Sequence, residues 1–560
     1  MNTFQLILYC YLINLVSTYR ILIHCDAATR SHIKGVLEIS EHLSTLGHEI
    51  VYASQKANMK FSKGYNVTQV GLEGDIKFFT DISLVKNFGN ELNTRKIHQH
   101  FLSQIPTIMS RFHQINYKQL FQLSTETNFD LFICDFMATA CQDVAKAKGI
   151  PLVVGFQTID FIPELMEGYK TTTDGYGPLT IQNSNFFERY QYKFINPVKG
   201  MPTFLKITQE LSKSRKKHNI KSSVIFGDLE YGLGIANTFF GFEVPSKLPS
   251  NLHLIGPLSK VPKDISMNDN GGSGISELLD NHDKILYVAF GSYAELDAKT
   301  VYKLLYSILY SIETKVVDGV VWGLGRTEFK GLPEEIKVGN KIYNREKLLN
   351  NEYFNIKLLK WAPQYSILNH KNTRLFISHG GLESITEATM TATPILCVPI
   401  LGDQPRNSKK IEEMGIGAHV DSDNIQSKMV IDKIKLILED KDGKYKSNSK
   451  KYQLITRDPE KRIEYAASIV INHIELAKLC RPFSPFNPNK DTIPCELSHL
   501  IHPAMKLNPI IKYNLDIYLA NILIIGLILF FMAKISYFIV AKLISTIRSK
   551  THYIDNKKIK

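Results

Sequence analysis

Strand-like apolar runs alternate with helical periodicities through two long stretches of this chain, and few architectures accommodate that order. Tyr19–Cys25 (YRILIHC) is followed by a helical pattern with apolar residues at Val36, Ile39, Leu43 and Leu46, and Gly47 stands where a C-terminal glycine cap belongs. His48–Tyr52 reads as the next strand. Phe129–Cys134, a helix around Ala138–Lys148 and Pro151–Phe156 repeat the order of strand, helix and strand. Residues 260–283 interrupt it with a polar stretch rich in Gly, Ser, Asn and Asp, which reads as a linker or long surface loop. Its Asn270-Gly271-Gly272-Ser273-Gly274 is no phosphate loop, because no strand leads into it. The alternation restarts at Lys284–Phe290 and runs through Val320–Gly323, Ile356–Lys360, Leu375–Ser378 and Pro394–Pro399. Parallel strands joined by helices make a sheet covered on both faces, so the expected fold is α/β: two tandem Rossmann-like, doubly wound domains with a cleft between them. Ligands of such sheets bind beyond the carboxyl ends of the strands.

The two ends of the chain are of a different kind. Phe4 to Val16 has the length of a signal-peptide core, although no basic residue precedes it and no clear small-x-small cleavage site follows. A buried first strand is the rival reading; Tyr19–Cys25 already supplies that strand, which favours a signal peptide cut at Ser17 or Thr18. Tyr518–Ala533 is uncharged and apolar, and Ile535–Ala541 extends it past Lys534 to bilayer-spanning length, with Lys534 snorkelling or facing a partner. The expected division is therefore signal peptide (1–18), first domain (19–260), linker (261–283), second domain with returning helices (284–480), stalk (481–514), transmembrane helix (515–541) and basic tail (542–560).

The formal charge of +13 raises the question of nucleic acid, and its distribution answers it. Lys542, Arg548, Lys550, Lys557, Lys558 and Lys560 against Asp555 give the tail an excess of five, so the other 540 residues share only +8. There is no zinc-finger spacing and no dense basic stripe interleaved with aromatics, so no nucleic-acid partner is expected. The tail reads as a cytoplasmic flank, which places the bulk of the chain in the lumen as a single-pass type I protein. Lys557-Lys558-Ile559-Lys560 resembles the dilysine signal that returns such proteins to the endoplasmic reticulum membrane. In that compartment the sequon Asn66-Val67-Thr68 is usable for glycosylation. Six cysteines remain once Cys10 leaves with the signal; their connectivity is not deducible, and buried thiols are the default in runs such as FDLFICD and PILCVPI.

The chemistry concentrates between Trp361 and Gln404. Leu375–Ser378 reads as a buried strand ending in His379-Gly380-Gly381, with a helix starting near Glu383: a tight turn, helix-terminal N–H groups and a histidine, which together suit an anion. Glu387 on that helix can accept bonds from ribose hydroxyls. Trp361, one of two tryptophans, is followed by Pro and Gln at a strand end, where a flat base can stack. Singly, Trp361 reads better as core, His379 as a satisfied turn residue, and Asp403 and Gln404 as surface loop. Their joint spacing reverses those readings.

This stretch of over forty residues (WAPQYSILNH, RLFISHGGLESITEA, TPILCVPILGDQ) resembles the donor-binding signature of the UDP-glycosyltransferase family, which includes glucuronosyltransferases and glucosyltransferases of the GT-B fold. The resemblance implies an acceptor-binding first domain and a UDP-sugar-binding second domain. It implies that Trp361 stacks on uracil, Gln364 bonds the base, His379 contacts the diphosphate beside Gly381 and Ser384, and Glu387 holds the ribose diol. Asp403 and Gln404 would grip sugar hydroxyls, and Ser292 of Phe290-Gly291-Ser292 would touch the phosphates. In the first domain His32, in the loop before the first helix, would be the general base, with Asp135 at the end of FDLFICD orienting it; an imidazole steadied by a carboxylate takes a hydroxyl proton near neutral pH. His24 and His48 read as structural. Two positions depart from the family pattern: Glu383 stands where the family often has Asn or another neutral residue, and Thr393 where it has glycine before proline. A carboxylate beside a diphosphate contact must face away from it or pair with a cation, for which Arg406 or Lys409 are the candidates.

The expectation is a hexosyltransferase, moving glucosyl or glucuronosyl from a UDP-sugar to a hydroxyl of a small lipophilic acceptor with inversion. The rivals are a membrane lipid or sterol glycosyltransferase of the same fold and a non-catalytic, membrane-anchored UDP-sugar-binding protein. No cofactor and no metal are expected, the UDP-sugar being a co-substrate. The D-x-D at Asp421-Ser422-Asp423 reads as a polar turn, and the helix terminus, His379 and Ser292 can stabilise the leaving UDP. A homo-oligomer stays open, as do the sugar and the acceptor.

Overall fold

The computed structural model describes residues 17–26, 30–74, 94–160, 162, 179–182, 184–220, 222, 225, 227–260, 274–292, 296–329, 331–487, 493–500, 509–512 and 514–558. The apolar segment Phe4–Val16, with the first 16 residues of the expected signal peptide, residues 261–273 of the expected linker and the final Ile559-Lys560 lie outside them. The chain divides into two compact units, Met1–His499 and Leu500–Lys560.

The first unit holds two parallel sheets. In the first, β1 (Arg20–His24), β2 (Glu49–Gln55), β3 (Thr68–Leu72), β4 (Leu131–Asp135), β5 (Leu152–Phe156), β6 (Leu233–Ala236) and β7 (Leu252–Leu254) lie in the order β3-β2-β1-β4-β5-β6-β7. The second contains β8 (Ile285–Ala289), β9 (Gly319–Gly323), β12 (Ile356–Leu359), β13 (Thr373–Ser378), β14 (Ile395–Cys397) and β15 (Gly417–His419), ordered β12-β9-β8-β13-β14-β15. A small antiparallel pair, β10 (Glu335–Val338) and β11 (Lys341–Asn344), stands apart. The central strands are apolar without alternation because both sheet faces are covered: Ile21, Leu22 and Ile23 are all fully buried, as are Leu375, Phe376 and Ile377. In each sheet the strand order reverses once, between β1 and β4 and between β8 and β13. Crevices open at such points beyond the strand ends, and both hold candidate site residues.

The helices that matter are α1 (Arg30–Thr45), α2 (Thr139–Lys148), α3 (Gln364–Leu368), α4 (Leu382–Met390), α5 (Gln404–Met414), α6 (Pro459–Cys480) and α7 (Leu515–Lys558). Several sequence expectations change in detail. Helix α1 ends at Thr45, so Leu46 lies beyond the stripe assigned to it and is 43% exposed, while Gly47 turns the chain at φ +90°. Residues 275–281, placed in the linker, form a helix that buries Ile275, Leu278 and Leu279. Cys134 is not a buried thiol: it is bridged to Cys141 of α2, and Cys480 to Cys495, whereas Cys25 and Cys397 are buried thiols.

Two sets of contacts hold the sheets together. Helix α6 returns from the second domain and packs on α1 of the first, with Lys478 Nζ 2.8 Å from Asp130 Oδ1 and Arg462 donating to the Gly256 carbonyl at 2.9 Å. On the other side, Lys410 of α5 reaches Asp160 at 2.7 Å and Glu243 at 2.6 Å, and Arg406 lies 3.0 Å from Asp160. All four side chains are buried, so this charge cluster is satisfied only while the two domains are docked.

The second unit contains α7, in which Leu515–Ile547 is long and apolar enough to cross a membrane by length and composition, with a mean hydropathy of 2.5. It outlasts the expected span 515–541 and continues as helix into the basic tail.

Candidate functional site

His32 and Asp135 meet beyond the first sheet's reversal point. Asp135 is the last residue of β4, and His32 sits in the first turn of α1 rather than in the loop ahead of it. His32 Nδ1 lies 3.0 Å from Asp135 Oδ2, whose other oxygen accepts the Met137 N–H. An ionised carboxylate only accepts, so Nδ1 carries the hydrogen and Nε2 is left to take a proton. The Gln157 amide donates to the His32 carbonyl at 2.8 Å, and Phe136 stacks on the ring. Burial opposes protonation of His32, but the charge and hydrogen bond of Asp135 and the charge of Asp403 outweigh it, so its pKa stands above the ordinary imidazole value. Asp403 belongs to the second domain, so part of the charge that favours the imidazolium comes from the other sheet. His24 and His48 are structural: His24 bridges Asp26 and the Ala53 carbonyl, and His48 accepts the Tyr19 N–H.

The second half-site lies beyond the other reversal point. His379 follows β13, and its ring is enclosed by two glycines. A Cβ on Gly291, where φ is +73°, would stand 2.9 Å from the ring, and one on Gly381 would stand 2.5 Å from Nε2. Any side chain at either position would displace the imidazole. Among the described residues its Nδ1 is buried with no hydrogen-bond partner, and burial lowers its pKa to about 4. His379 is therefore neutral near pH 7 and offers a hydrogen bond, not a charge. Gly381 precedes α4, whose first N–H groups face the same corner, and Ser292 is exposed on the turn after β8.

Trp361, Gln364, Ser384 and Glu387 form the other flank. The Trp361 side chain is 62% exposed, open to stacking. Gln364 donates to Glu387 Oε2 at 2.8 Å and to Ser384 Oγ at 3.2 Å. Burial and the neighbouring Glu383 raise the pKa of Glu387, with Lys34 and Gln364 acting in the opposite sense. Asp403 accepts from Asn407 at 2.7 Å, and the same amide donates to the Gly380 carbonyl at 3.1 Å, tying the acidic loop to the glycine turn. Gln404 Oε1 accepts the Ile400 and Leu401 N–H groups, which leaves its amide nitrogen for a ligand.

The cation expected for Glu383 is neither Arg406, which is turned to Asp160, nor Lys409, which lies 3.3 Å from His419. It is Lys34 of α1, whose Nζ is 2.7 Å from Glu383 and 3.9 Å from Glu387 across the cleft. Sequence reasoning missed it, along with Asn407 and Gln157; an ordinary helical lysine carries no sign of what it faces in another domain. Thr393 takes the place of glycine without strain, because the left-handed residue is its neighbour Ala392 (φ +56°) and its hydroxyl donates to the Leu368 carbonyl. Asp421-Ser422-Asp423 is a short turn in which Asp421 accepts the Asp423 N–H. Among the described residues, Cys25, His32 and Asp135 also lie close enough to share an ion, but Asp135 is already committed to His32 and the Met137 N–H.

A family model described as UDP-glucoronosyl and UDP-glucosyl transferase matches residues 21–466. UDP-glycosyltransferase stmC of Aspergillus ustus is 26% identical over 505 residues, covering 87% of this chain and 91% of that protein. UDP-glucuronosyltransferase 3A1 of Bos taurus is 25% identical over 465 residues, covering 76% and 79%. Among solved structures, the calicheamicin glycosyltransferase CalG4 superposes with a TM-score of 0.53 at 14% identity, covering 80% of this chain and 98% of that one. Phytolacca americana UGT2, complexed with UDP-2fluoro-glucose and pterostilbene, superposes with a TM-score of 0.51 at 15% identity, covering 81% and 99%. The two-sheet architecture is the GT-B fold.

Proposed function

Because the chain belongs to the UDP-glucoronosyl and UDP-glucosyl transferase family, whose members transfer sugar from a UDP-sugar, we propose that it is an inverting hexosyltransferase acting on a hydroxyl of a small lipophilic acceptor. The observation that carries this reading is the His32–Asp135 pair, held at 3.0 Å at the end of β4 and within reach of the charge of Asp403. The acceptor oxygen gives its proton to His32 Nε2 and bonds to the anomeric carbon as the bond from that carbon to the UDP oxygen breaks. Attack from the acceptor side, opposite the leaving group, inverts the centre. Asp135 stabilises the imidazolium that forms. The first N–H groups of α4, the neutral His379 and Ser292 receive the charge that develops on the diphosphate, without a metal. Trp361 stacks on the base, Gln364 and Glu387 hold base and ribose, and Asp403 and Gln404 hold the sugar.

The second unit supports a membrane anchor with a cytoplasmic tail, and the Cys134–Cys141 and Cys480–Cys495 bridges suit an oxidising lumen. Asn66 is exposed on the turn before β3, where a glycan can attach. The proposed location is therefore the endoplasmic reticulum membrane with the GT-B domains lumenal. The test is a panel of UDP-sugars offered with a phenol, an aliphatic alcohol and a sterol, reading UDP release, product mass and the anomeric configuration. Product of retained configuration, or no product with any donor, would refute the mechanism.

A further inference from the structure

The donor corner carries more negative charge than its task allows. Glu383 lies in the first turn of α4, whose N–H groups would receive a diphosphate, and Glu387 is one turn further on. His379 is neutral and supplies no compensating charge. Two carboxylates facing a ligand that itself carries two to three negative charges would repel it, and in a partly buried cleft such repulsion is weakly screened. The compensation comes from the other domain. Lys34, two residues beyond His32 on α1, leaves only 13% of its side chain exposed and places Nζ 2.7 Å from Glu383 and 3.9 Å from Glu387. Arg30, one turn earlier, adds positive charge that Glu387 also feels. The departure at Glu383 is thus matched by a lysine on the opposite face of the cleft.

We propose that Lys34 is a donor-positioning residue that acts through Glu383: by holding that carboxylate, it makes the end of α4 able to receive the donor's diphosphate. This rests on the UDP-sugar site placed at α4. It has a consequence for order of events, because the lysine belongs to the acceptor domain. The diphosphate subsite is complete only when α1 faces α4, so donor affinity depends on the domains being closed.

The test is calorimetric titration of the full-length, detergent-solubilised protein with UDP and with uridine, which has the same base and ribose but no phosphate. Lys34→Met should weaken UDP at least tenfold, about 1.4 kcal/mol, and leave uridine within about twofold. Adding Glu383→Gln to Lys34→Met should bring UDP back to within about threefold of wild type, and Lys34→Arg should bind UDP as wild type does. In turnover, Lys34→Met should raise the KM for the UDP-sugar far more than it lowers kcat. Wild-type UDP affinity in Lys34→Met overturns the proposal, and so does an equal loss of UDP and uridine, which would mean damage to the ribose side or to folding. A double variant as weak as Lys34→Met also overturns it, since Lys34 would then act on the phosphates directly. Failure of the wild-type protein to bind UDP would overturn the site itself.

Discussion

Replacing Asp135 by Asn tests the proposed base without changing the shape of the site. The imidazole and carboxylate are 3.0 Å apart and the Asp135 side chain is almost fully enclosed. Two unit charges at that separation attract by about 5 kcal/mol at an effective dielectric near 20, a gross figure from which burial of the ring takes back a large part. The balance favours the charged form, which is why His32 titrates above the ordinary imidazole value. A base works only when unprotonated. The wild-type rate, read as kcat/KM for an alcohol, should therefore fall as pH drops through that raised pKa, placing the acidic limb above about 6.5. Asn at 135 removes the attraction and leaves the burial cost, so the limb should move to lower pH. The plateau should fall at the same time, by about 100-fold to 10⁴-fold, because an amide can hold the wrong tautomer and cannot steady the imidazolium. A loss of fold would lower the plateau without moving the limb. The assay is a pH series with an aliphatic alcohol and with an acidic phenol, the phenol losing least because it arrives partly ionised. A folded Asp135→Asn protein with the wild-type limb would refute the argument, as would His32→Ala transferring to alcohols at the wild-type rate.

His379→Ala and Glu387→Ala should each weaken UDP binding at least tenfold, the cost of a hydrogen bond to a charged group being about 1.5–3 kcal/mol; unchanged titrations in both would remove the donor site from α4. Lys410→Met strips Asp160 and Glu243 of their shared cation in a buried interface and should cost about 3–5 kcal/mol, read by denaturant unfolding. Burial raises the Asp160 pKa, but Lys410 and Arg406 overcome this and hold it well below the usual carboxylate range. Its stabilising effect is thus present above about pH 3.9, where an unfolded aspartate ionises, and is lost as pH falls towards the depressed value; Asp160→Asn should flatten stability across that acid window. In sealed microsomes, added protease should remove only the tail beyond α7 and spare any glycan at Asn66; digestion of the whole chain without detergent would reverse the proposed topology.

What could be read from the sequence was what is local. The strands of both sheets' centres were legible because a segment buried on two faces must be apolar throughout, and β1, β4, β5, β8 and β13 fall within two residues of their expected positions. The edge strands β3, β7 and β15, the short β6 beside β7 and the hairpin β10–β11 were not, since three to five residues at or near a sheet edge leave too little pattern. The residues proposed for the donor could be named as a group because Trp361, Gln364, His379 and Glu387 lie within 27 consecutive residues around one strand and one helix. The acceptor side was half legible: His32 and Asp135 were named, but the start of α1 ahead of His32 was not. What escaped altogether were partners joined across long separations. Lys34 and Glu383 are 349 residues apart, and Lys410 and Glu243 are 167 apart. Only the docking of the two sheets brings them together, and that depends on the whole surface of both.

That docking bears on the base itself. The chain leaving β5 passes through Gln157 and, three residues later, Asp160. Gln157 donates to the His32 carbonyl and so fixes the first turn of α1 from behind, while Asp160 is the buried anion that receives Lys410 and Arg406 from α5. Helix α5 begins at Gln404, directly after Asp403, whose charge reaches His32. One short segment thus contacts the base on one side and the docked domain on the other, and one helix carries both the docking cations and the loop that faces the base. A shift of α5 away from Asp160 would carry Asp403 away from His32 and release the residue that anchors Gln157's neighbourhood. Donor grip through Lys34 and base placement through Gln157 then both depend on the same interdomain contact, although Lys34 lies two residues beyond His32 in the chain and Gln157 lies 125 residues beyond it. In this arrangement a poised base goes together with a completed donor site, because the contact that sets one also completes the other.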